Sequence, residues 1–170
     1  MKYSSQKLGK ILKKTEDELS SLIVREGQSK EFNAAVGEDA ESIRPAYNFS
    51  ETQEKRESLE TKVRTIKHAL NTFNIATVVP ELNMTIDQAL IYIPQLLKQK
   101  RQYAAMKDKM TKTRVAGNAF KVVSLIDYTY INYDVNEVSA KFDEVSEKLA
   151  IAQMALDKIN SEENIELDLE

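Results

Sequence analysis

The chain has 170 residues, of which 30% are charged, with three Pro, four Gly, no Cys and a net charge of −3. The missing Cys excludes disulfides, thiolate catalysis and sulfur-ligated metals, and no apolar run reaches the roughly 18 residues that a membrane-spanning helix needs. This composition predicts a cytoplasmic protein with one helical domain over residues 1–170.

The first predicted helix runs from about Ser5 to Arg25. Its seam residues recur at alternating spacings of four and three: Leu8, Leu12, Thr15, Leu19 and Leu22. This spacing is typical of a helix that docks along another helix. Gly27 follows as the predicted stop.

An irregular stretch follows from Gly27 to Asn48 and contains two of the four Gly together with Pro45. A connection of about 20 residues is long for a compact bundle. We interpret this 27–48 loop as one laid over the bundle surface, and residues 31–36 within it as a candidate short strand.

The second predicted helix begins near Ser50, where Ser50 and Gln53 match a capping box, and ends before Thr77. Its seam consists of Leu59, Val63, Ile66, Leu70 and Phe73. His68, the single histidine of the chain, falls on the outer face of this helix. It has no Glu three residues before it and so does not match the Glu-x-x-His pattern of di-iron bundles. No metal or other cofactor is predicted.

A third helix is predicted to open at Thr85, where Gln88 completes another capping box. Its seam consists of Ile86, Leu90, Ile93 and Leu97. Pro94 removes a backbone donor inside this run, which predicts a kink or a break. Beyond Pro94 the apolar phase slips to Tyr103, Met106 and Met110.

The end of this helix is strongly basic, with seven basic residues between Gln95 and Arg114 against Asp108 alone. At about 100° per residue, one predicted stripe combines Lys98, Arg101, Lys109 and Lys112. Three further basic residues lie nearly opposite: Lys100, Lys107 and Arg114. The leading interpretation is pairing with acidic neighbours, and the alternative is an anion-binding surface on the first stripe for nucleic acid or phosphate ligands. A membrane-surface contact is a third, minor interpretation.

A small β-ribbon is predicted near residues 113–133, because β-branched and aromatic residues are dense there. A short strand at 113–116, a turn at Gly117-Asn118 and a longer following strand form it. Two strands alone are marginal, so a third edge is expected from the acidic tail at 161–170 or from another subunit. Tyr128, Tyr130 and Tyr133 are interpreted as stacked between strands, with an aromatic ligand platform as the alternative.

The last predicted helix has the longest seam. Asp134 and Glu137 match a capping pair at its start. The seam residues are Val138, Phe142, Val145, Leu149, Ala152, Leu156 and Ile159. From Asp134 to the end, eleven acids stand against three lysines. The predicted fold class is therefore mainly α, with about four long, antiparallel, coiled-coil-like helices and a small ribbon.

Five short stretches, spread over nearly the whole chain, carry a resemblance to a known family. They are Arg25-Glu26-Gly27, Asn71-Thr72-Phe73-Asn74-Ile75-Ala76-Thr77, Thr85-Ile86-Asp87-Gln88-Ala89-Leu90, Asp134-Val135 and Leu156-Asp157-Lys158-Ile159-Asn160. Together they resemble the septicolysin-like family of small uncharacterised bacterial proteins. The resemblance implies a helical fold and no established chemistry, so no functional residue carries over. The family label implies a membrane-active toxin, which is a minor alternative.

No catalytic motif is present, so we predict that the protein is not an enzyme. The leading functional hypothesis is an intracellular structural or interaction protein that self-associates through its helical seams as a homo-oligomer. The alternative hypothesis is nucleic-acid or phosphate-ligand binding through the basic stretch at 98–114.

Overall fold

The computed structural model describes residues 1–115 and 127–169 and is mainly helical, as the sequence predicts. In these ranges the helices are α1 (Ser5–Ser29), α2 (Ala40–Ile43), α3 (Phe49–Ala76), α4 (Ile86–Lys107) and α5 (Val135–Glu162). The strands are β1 (Lys2–Ser4), β2 (Val78–Val79), β3 (Met84–Thr85), β4 (Lys112–Arg114), β5 (Tyr128–Tyr130) and β6 (Asn164–Glu166). They form the two-stranded sheets β1–β6, β2–β3 and β4–β5. The turn predicted at Gly117-Asn118 lies outside the described residues.

Two compact units make up the chain. The first unit comprises Met1–Val78 and Asp157–Glu170, and the second comprises Val79–Leu156. The boundary falls within α5, so each unit contains part of that helix. Each unit also has a buried apolar cluster of its own. The single domain expected from the sequence remains a prediction.

The first unit is built on α1 and α3, which pack antiparallel. The predicted seams face inward, and their buried residues are Leu8, Thr15, Leu22, Leu59 and Ile66. Leu8 near the start of α1 packs with Ile66 late in α3, whereas Glu26 late in α1 contacts Gln53 early in α3. The helices therefore run in opposite directions. His68 is exposed, as predicted.

The end of α1 and the loop after it differ from the prediction. The stop predicted at Gly27 is wrong, because α1 continues to Ser29 and the Lys30 amide donates to the Glu26 carbonyl at 2.9 Å. Gly27 does not adopt the positive φ that is typical of a glycine at a helix end. Gly37, in the loop that follows α1, does have a positive φ, at 91°. The strand expected at 31–36 is also wrong, because those residues pair with no other strand.

The start of α3 is capped by a different residue from the one predicted. The side chain of Asn48 accepts the Glu51 amide at 3.3 Å, so the capping box predicted for Ser50 and Gln53 is wrong. Asn is as good an N-cap as Ser and comes earlier in this stretch. The Gln53 amide nitrogen instead donates to the Glu26 carboxylate at 2.6 Å.

The C-terminal tail pairs with the N-terminal strand, so its predicted role as a third strand of the central ribbon is wrong. The β1–β6 register is antiparallel and places Lys2 opposite Glu166, Tyr3 opposite Ile165 and Ser4 opposite Asn164. The ladder continues through the Leu167 amide, which donates to the Met1 carbonyl at 3.0 Å. Ile165 thereby joins Leu8 and Ile66 in the buried cluster. The apolar residues of the alternating tail thus complete the core of the first unit.

The second unit contains α4 and most of α5, which also pack antiparallel. Its buried cluster consists of Leu96, Val145, Leu149 and Ala152. The Tyr133 hydroxyl, just before α5, donates to the Met106 carbonyl at the end of α4 at 2.8 Å. Tyr92, near the start of α4, packs against the cluster that contains Leu149 and Ala152. The seam predicted for α5 is confirmed, with Phe142 half-buried and the other six positions buried.

Helix α4 begins as predicted and then departs from the pattern. Thr85 accepts the Gln88 amide at 3.3 Å, and the Gln88 side chain accepts the Thr85 amide at 2.9 Å. The predicted seam is wrong at Leu90, which is exposed, whereas Ala89 is fully buried. A break at Pro94 is also wrong, because α4 continues through it. Pro94 leaves the Leu90 carbonyl without its helical donor, and this exposed turn is open to water.

Two further helix ends lie where the sequence places them. The Asp134 carboxylate, just before α5, accepts the amide of Asn136 at 2.7 Å, although the predicted partner was Glu137. Thr77 ends α3, and its amide donates to the Phe73 carbonyl at 2.9 Å.

Candidate functional site: the basic aromatic ribbon

The ribbon β4–β5 carries two basic and two aromatic side chains on one face. Its strands pair antiparallel, with Lys112 opposite Tyr130, Thr113 opposite Thr129 and Arg114 opposite Tyr128. Side chains alternate between the two faces along a strand, and directly opposed residues share a face. One face therefore consists of Lys112, Arg114, Tyr128 and Tyr130, and the other carries the two threonines. We call the first set the ribbon face.

Backbone hydrogen bonds continue the ladder on both sides of this ribbon. The Val115 amide donates to the Asp127 carbonyl at 2.9 Å, and the Ile131 amide donates to the Thr111 carbonyl at 3.2 Å. Thr, Val, Ile and Tyr favour strands, which explains why this part of the chain forms a ribbon after a long helix. The ribbon predicted near residues 113–133 is thus confirmed over its described part.

The two tyrosines of the ribbon face lie close together and remain accessible. The Lys112 ammonium lies 4.0 Å from the centre of the Tyr128 ring and 5.4 Å from that of Tyr130. The two ring centres are 6.5 Å apart, and the rings are inclined at 52°. Tyr128 is 44% exposed and Tyr130 62%. Tyr128 and Tyr130 both belong to β5, and the residues opposite them are Arg114 and Lys112, so within the described residues neither ring stacks on an aromatic ring of another strand.

Tyr133 does not belong to the ribbon face. Its hydroxyl donates to the Met106 carbonyl, and this bond joins the segment after the ribbon to the last turn of α4. Of the three tyrosines considered as a ligand platform, the structure thus brings together Tyr128 and Tyr130.

The four residues predicted as an anion-binding stripe are exposed but do not lie on one helix. They are Lys98, Arg101, Lys109 and Lys112. Lys98 and Arg101 lie on α4, Lys109 follows its end, and Lys112 lies on β4. The predicted stripe assumed a helix through residue 112, whereas α4 ends at Lys107. Arg114, predicted on the opposite side, shares the ribbon face with Lys112.

The sequence predicts that the basic stretch pairs with acidic neighbours, and no such pair is present among the described residues. Within the described residues of the second unit, none of the seven basic residues between 95 and 114 forms an ion pair with a carboxylate. Lys100 and Lys107 instead lie over the Phe142 ring, 5.6 and 5.1 Å from its centre. Both ammonium groups are thus within cation–π distance of this ring.

On α5, Glu144 forms ion pairs with two lysines of the same helix. Glu144 accepts hydrogen bonds from Lys141 at 2.8 Å and from Lys148 at 2.6 Å. These two ammonium groups, Lys141 first, lower the pKa of Glu144 to about 2. Within the described residues, no carboxylate of α5 forms an ion pair with Lys112 or Arg114 of the ribbon face.

Two grooves in the first unit are weaker candidates. They measure about 560 and 390 Å³ and share Lys62, Asp168 and Leu169 in their walls. Both are open to solvent and lined by helix surface and tail. In residues 1–115 and 127–169, no three His, Asp or Glu side chains converge to hold a metal ion. No helix in those ranges is long and apolar enough to cross a membrane.

The sequence contains a pattern that indicates the ribbon face, and the assumption of a helix through residue 112 obscured it. Lys112-Thr113-Arg114 and Tyr128-Thr129-Tyr130 both place chemically alike residues two apart, with Thr between them. In paired strands this spacing puts the like residues on one face. Only the register brings Arg114 opposite Tyr128 and so assembles the four side chains.

No known protein family and no curated protein matches the chain. A solved structure, that of a functionally unknown conserved protein from Corynebacterium diphtheriae, resembles it with a TM-score of 0.67. The match covers 98% of this chain and 100% of the other, at 17% sequence identity. At this identity, the likeness establishes the fold alone.

Proposed function

We propose that this protein is an interaction protein that binds a phosphate-bearing polymer through the ribbon face. The observation that supports this best is the pairing of two cations with two exposed tyrosines in one register. Lysine and arginine neutralise phosphate groups, and accessible aromatic rings add contact area beside them. Lys98 and Arg101 on α4, together with Lys109, are further exposed cations of the same unit.

The alternative to binding is a structural role for the same side chains. Cross-strand pairs stabilise a ribbon, and an exposed cation over an aromatic ring contributes about 0.5–1 kcal/mol. This role does not require the further exposed cations of the same unit. Exposed charges that meet no carboxylate within the described second unit favour an anionic partner.

Retention on a heparin matrix tests the proposal. The wild type should bind at low salt and elute as salt rises, because binding releases counterions. The Lys112→Gln/Arg114→Gln variant should elute at clearly lower salt. The matched control is Lys10→Gln/Lys13→Gln, which removes the same charge from exposed positions of α1 and should elute near the wild type. Equal elution of both variants, or no retention of the wild type, would overturn the proposal.

A second candidate function is self-association as a homo-oligomer. Large apolar side chains are exposed on α4 and α5: Leu90, Ile91, Ile151 and Met154. Because these helices run antiparallel, the four residues lie toward the same end of the pair. Exposed apolar patches of this kind often mark protein interfaces. Light scattering should then report an oligomer for the wild type and a monomer for Ile91→Glu/Met154→Glu, and a monomeric wild type would contradict this candidate.

Two expectations from the sequence accompany these proposals. A cytoplasmic location suits a protein whose partner is a phosphate-bearing polymer. Membership of the septicolysin-like family, with the membrane activity that its name implies, remains a prediction. Dye release from lipid vesicles tests that activity.

A further inference from the structure

We infer that the polymer held by the ribbon face is single-stranded nucleic acid, with unpaired bases stacked on Tyr128 and Tyr130. This inference rests on the proposed function and names the partner class for the same site. Aromatic side chains beside basic ones are what non-sequence-specific single-strand binders use, because every base offers a π face. The exposed fractions of the rings, 44% and 62%, leave room for such stacking.

The spacing of the rings favours unpaired bases. Their centres lie 6.5 Å apart. Successive bases in one strand of a B-form duplex are about 3.4 Å apart, roughly half of that distance. Two neighbouring bases that each occupy one ring must therefore separate from one another. A single strand can do this, whereas a duplex would have to break its stacking and pairing.

Lys112 and Arg114 lie close enough to the two rings to contact the phosphates of a strand whose bases stack there. Lys112 lies opposite Tyr130, and Arg114 lies opposite Tyr128, so each ring has a basic residue directly across the ladder. In the free protein the Lys112 ammonium lies over the rings. A base that stacks on Tyr128 displaces this ammonium from the ring, and its flexible stem lets it turn to a phosphate.

Neither the length of the ribbon nor the distribution of its side chains favours a duplex or a membrane as the binding partner. The opposite face carries Thr113 and Thr129, and the described strands are three residues each, about 10 Å long. Rings flanked by charges on the same face do not form the broad apolar side with which an amphipathic helix enters a lipid surface. A single strand of nucleic acid can stack its bases on the rings and place its phosphates beside the cations.

Fluorescence anisotropy with a labelled oligo(dT) strand tests this inference at low salt, using the full chain. Tyr128→Leu/Tyr130→Leu should weaken binding at least about tenfold, because each stacked base contributes strongly to affinity. Tyr128→Phe/Tyr130→Phe keeps the rings and should bind within about twofold of the wild type. Thr113→Ala/Thr129→Ala changes the opposite face of the same strands and serves as the matched control. Circular dichroism checks that each variant retains its helices, and single Tyr→Leu variants replace the double variant if it does not fold.

The outcomes separate this inference from the proposed function. Unchanged oligo(dT) affinity in the leucine variant, with heparin retention still lost in Lys112→Gln/Arg114→Gln, would overturn stacking and leave polyanion binding intact. Duplex DNA bound as tightly as the single strand would also overturn the inference. Preferential binding to phosphatidylglycerol vesicles would overturn it in favour of a lipid surface. Binding to none of these probes, heparin included, would overturn both.

Discussion

Lys112 contacts Tyr128 diagonally across the ribbon, at 4.0 Å from its ring centre, although the residue directly opposite it in the ladder is Tyr130. Diagonal neighbours in an antiparallel pair are within reach of long side chains. The lysine thereby lies within cation–π distance of both rings, since Tyr130 is 5.4 Å away. The single ammonium group of Lys112 thus contacts both aromatic rings of the ribbon face.

The salt dependence of binding should report how many phosphates the ribbon face neutralises. For single strands, each neutralised phosphate contributes about 0.7 to the slope of log affinity against log salt. Lys112→Gln should therefore lower the slope by about 0.7, and Lys112→Gln/Arg114→Gln by about twice that. Anisotropy titrations of oligo(dT) over a salt series measure both slopes. A slope unchanged by either substitution would remove these residues from the phosphate contacts.

The core of the first unit should depend strongly on Leu8. This side chain is fully buried against Ile66 and Ile165. Leu8→Ala removes apolar contacts and leaves a cavity, so it should lower the free energy of unfolding by about 2–5 kcal/mol. Urea denaturation followed by circular dichroism measures the loss. Ile23→Ala on the exposed side of α1 is the control and should stay within about 0.5 kcal/mol, and equal losses would contradict this packing.

The ion pairs of Glu144 should make stability fall in acid. Lys141 and Lys148 lower its pKa in the folded state from 4.5 to about 2. A carboxylate with a lowered folded pKa stabilises the fold above its unfolded pKa, and this contribution disappears as the pH falls from 4.5 towards 2. Because Glu144 is accessible to solvent, the effect should be small and should weaken with salt.

Urea unfolding of the wild type and of Glu144→Gln, over a pH series, measures this contribution. The difference between the two free energies of unfolding should be largest near neutral pH and should shrink in acid. Glu147→Gln, an exposed carboxylate on the next turn of α5, is the control. A difference that does not change with pH would argue against the ion pairs.

Glu26 should hold the end of the loop between α1 and α3 in place. Its carboxylate accepts hydrogen bonds from the Tyr47 hydroxyl at 2.9 Å and from the Gln53 amide at 2.6 Å. Partial burial, and then the hydrogen bond to Glu26, raise the pKa of Tyr47, so the phenol stays protonated as a donor. Glu26→Ala removes both bonds and should free the end of the loop.

Limited trypsin digestion measures that release at the Lys30–Glu31 bond, which lies between the two helices. Cleavage at this bond should become severalfold faster in Glu26→Ala, since local opening exposes it to the protease. Asn33→Ala, at an exposed position of the same loop that leaves the Lys30–Glu31 bond unchanged, should be cleaved like the wild type. Equal rates in the two variants would show that Glu26 does not hold the loop.

The helices were predictable where large apolar side chains recur. The α5 seam from Val138 to Ile159 follows the predicted spacing because each of its positions faces the core. Prediction failed at α4, where the small Ala89 is buried and the larger Leu90 is exposed. Apolar spacing locates a buried stripe, but it does not decide between adjacent residues when one of them is alanine.

The strand pairings were less predictable, because they join residues distant in the sequence. Nothing local in Ile165 or its neighbours indicates that they pair with Tyr3. The candidate site depends on the same kind of information. The basic residues were recognised from composition, whereas the helix end at Lys107 and the pairing of Arg114 with Tyr128 required the structure.

The most direct test of the ribbon face as the binding surface is an NMR titration of ¹⁵N-labelled protein with oligo(dT). If the ribbon face binds the strand, amide shift changes will be concentrated at residues 111–115 and 127–131, which form the ladder of the ribbon. Smaller changes should follow around Lys98 and Arg101, which are further exposed cations of the same unit. Saturable changes centred on the first unit, or no changes at low salt, would contradict binding at the ribbon face.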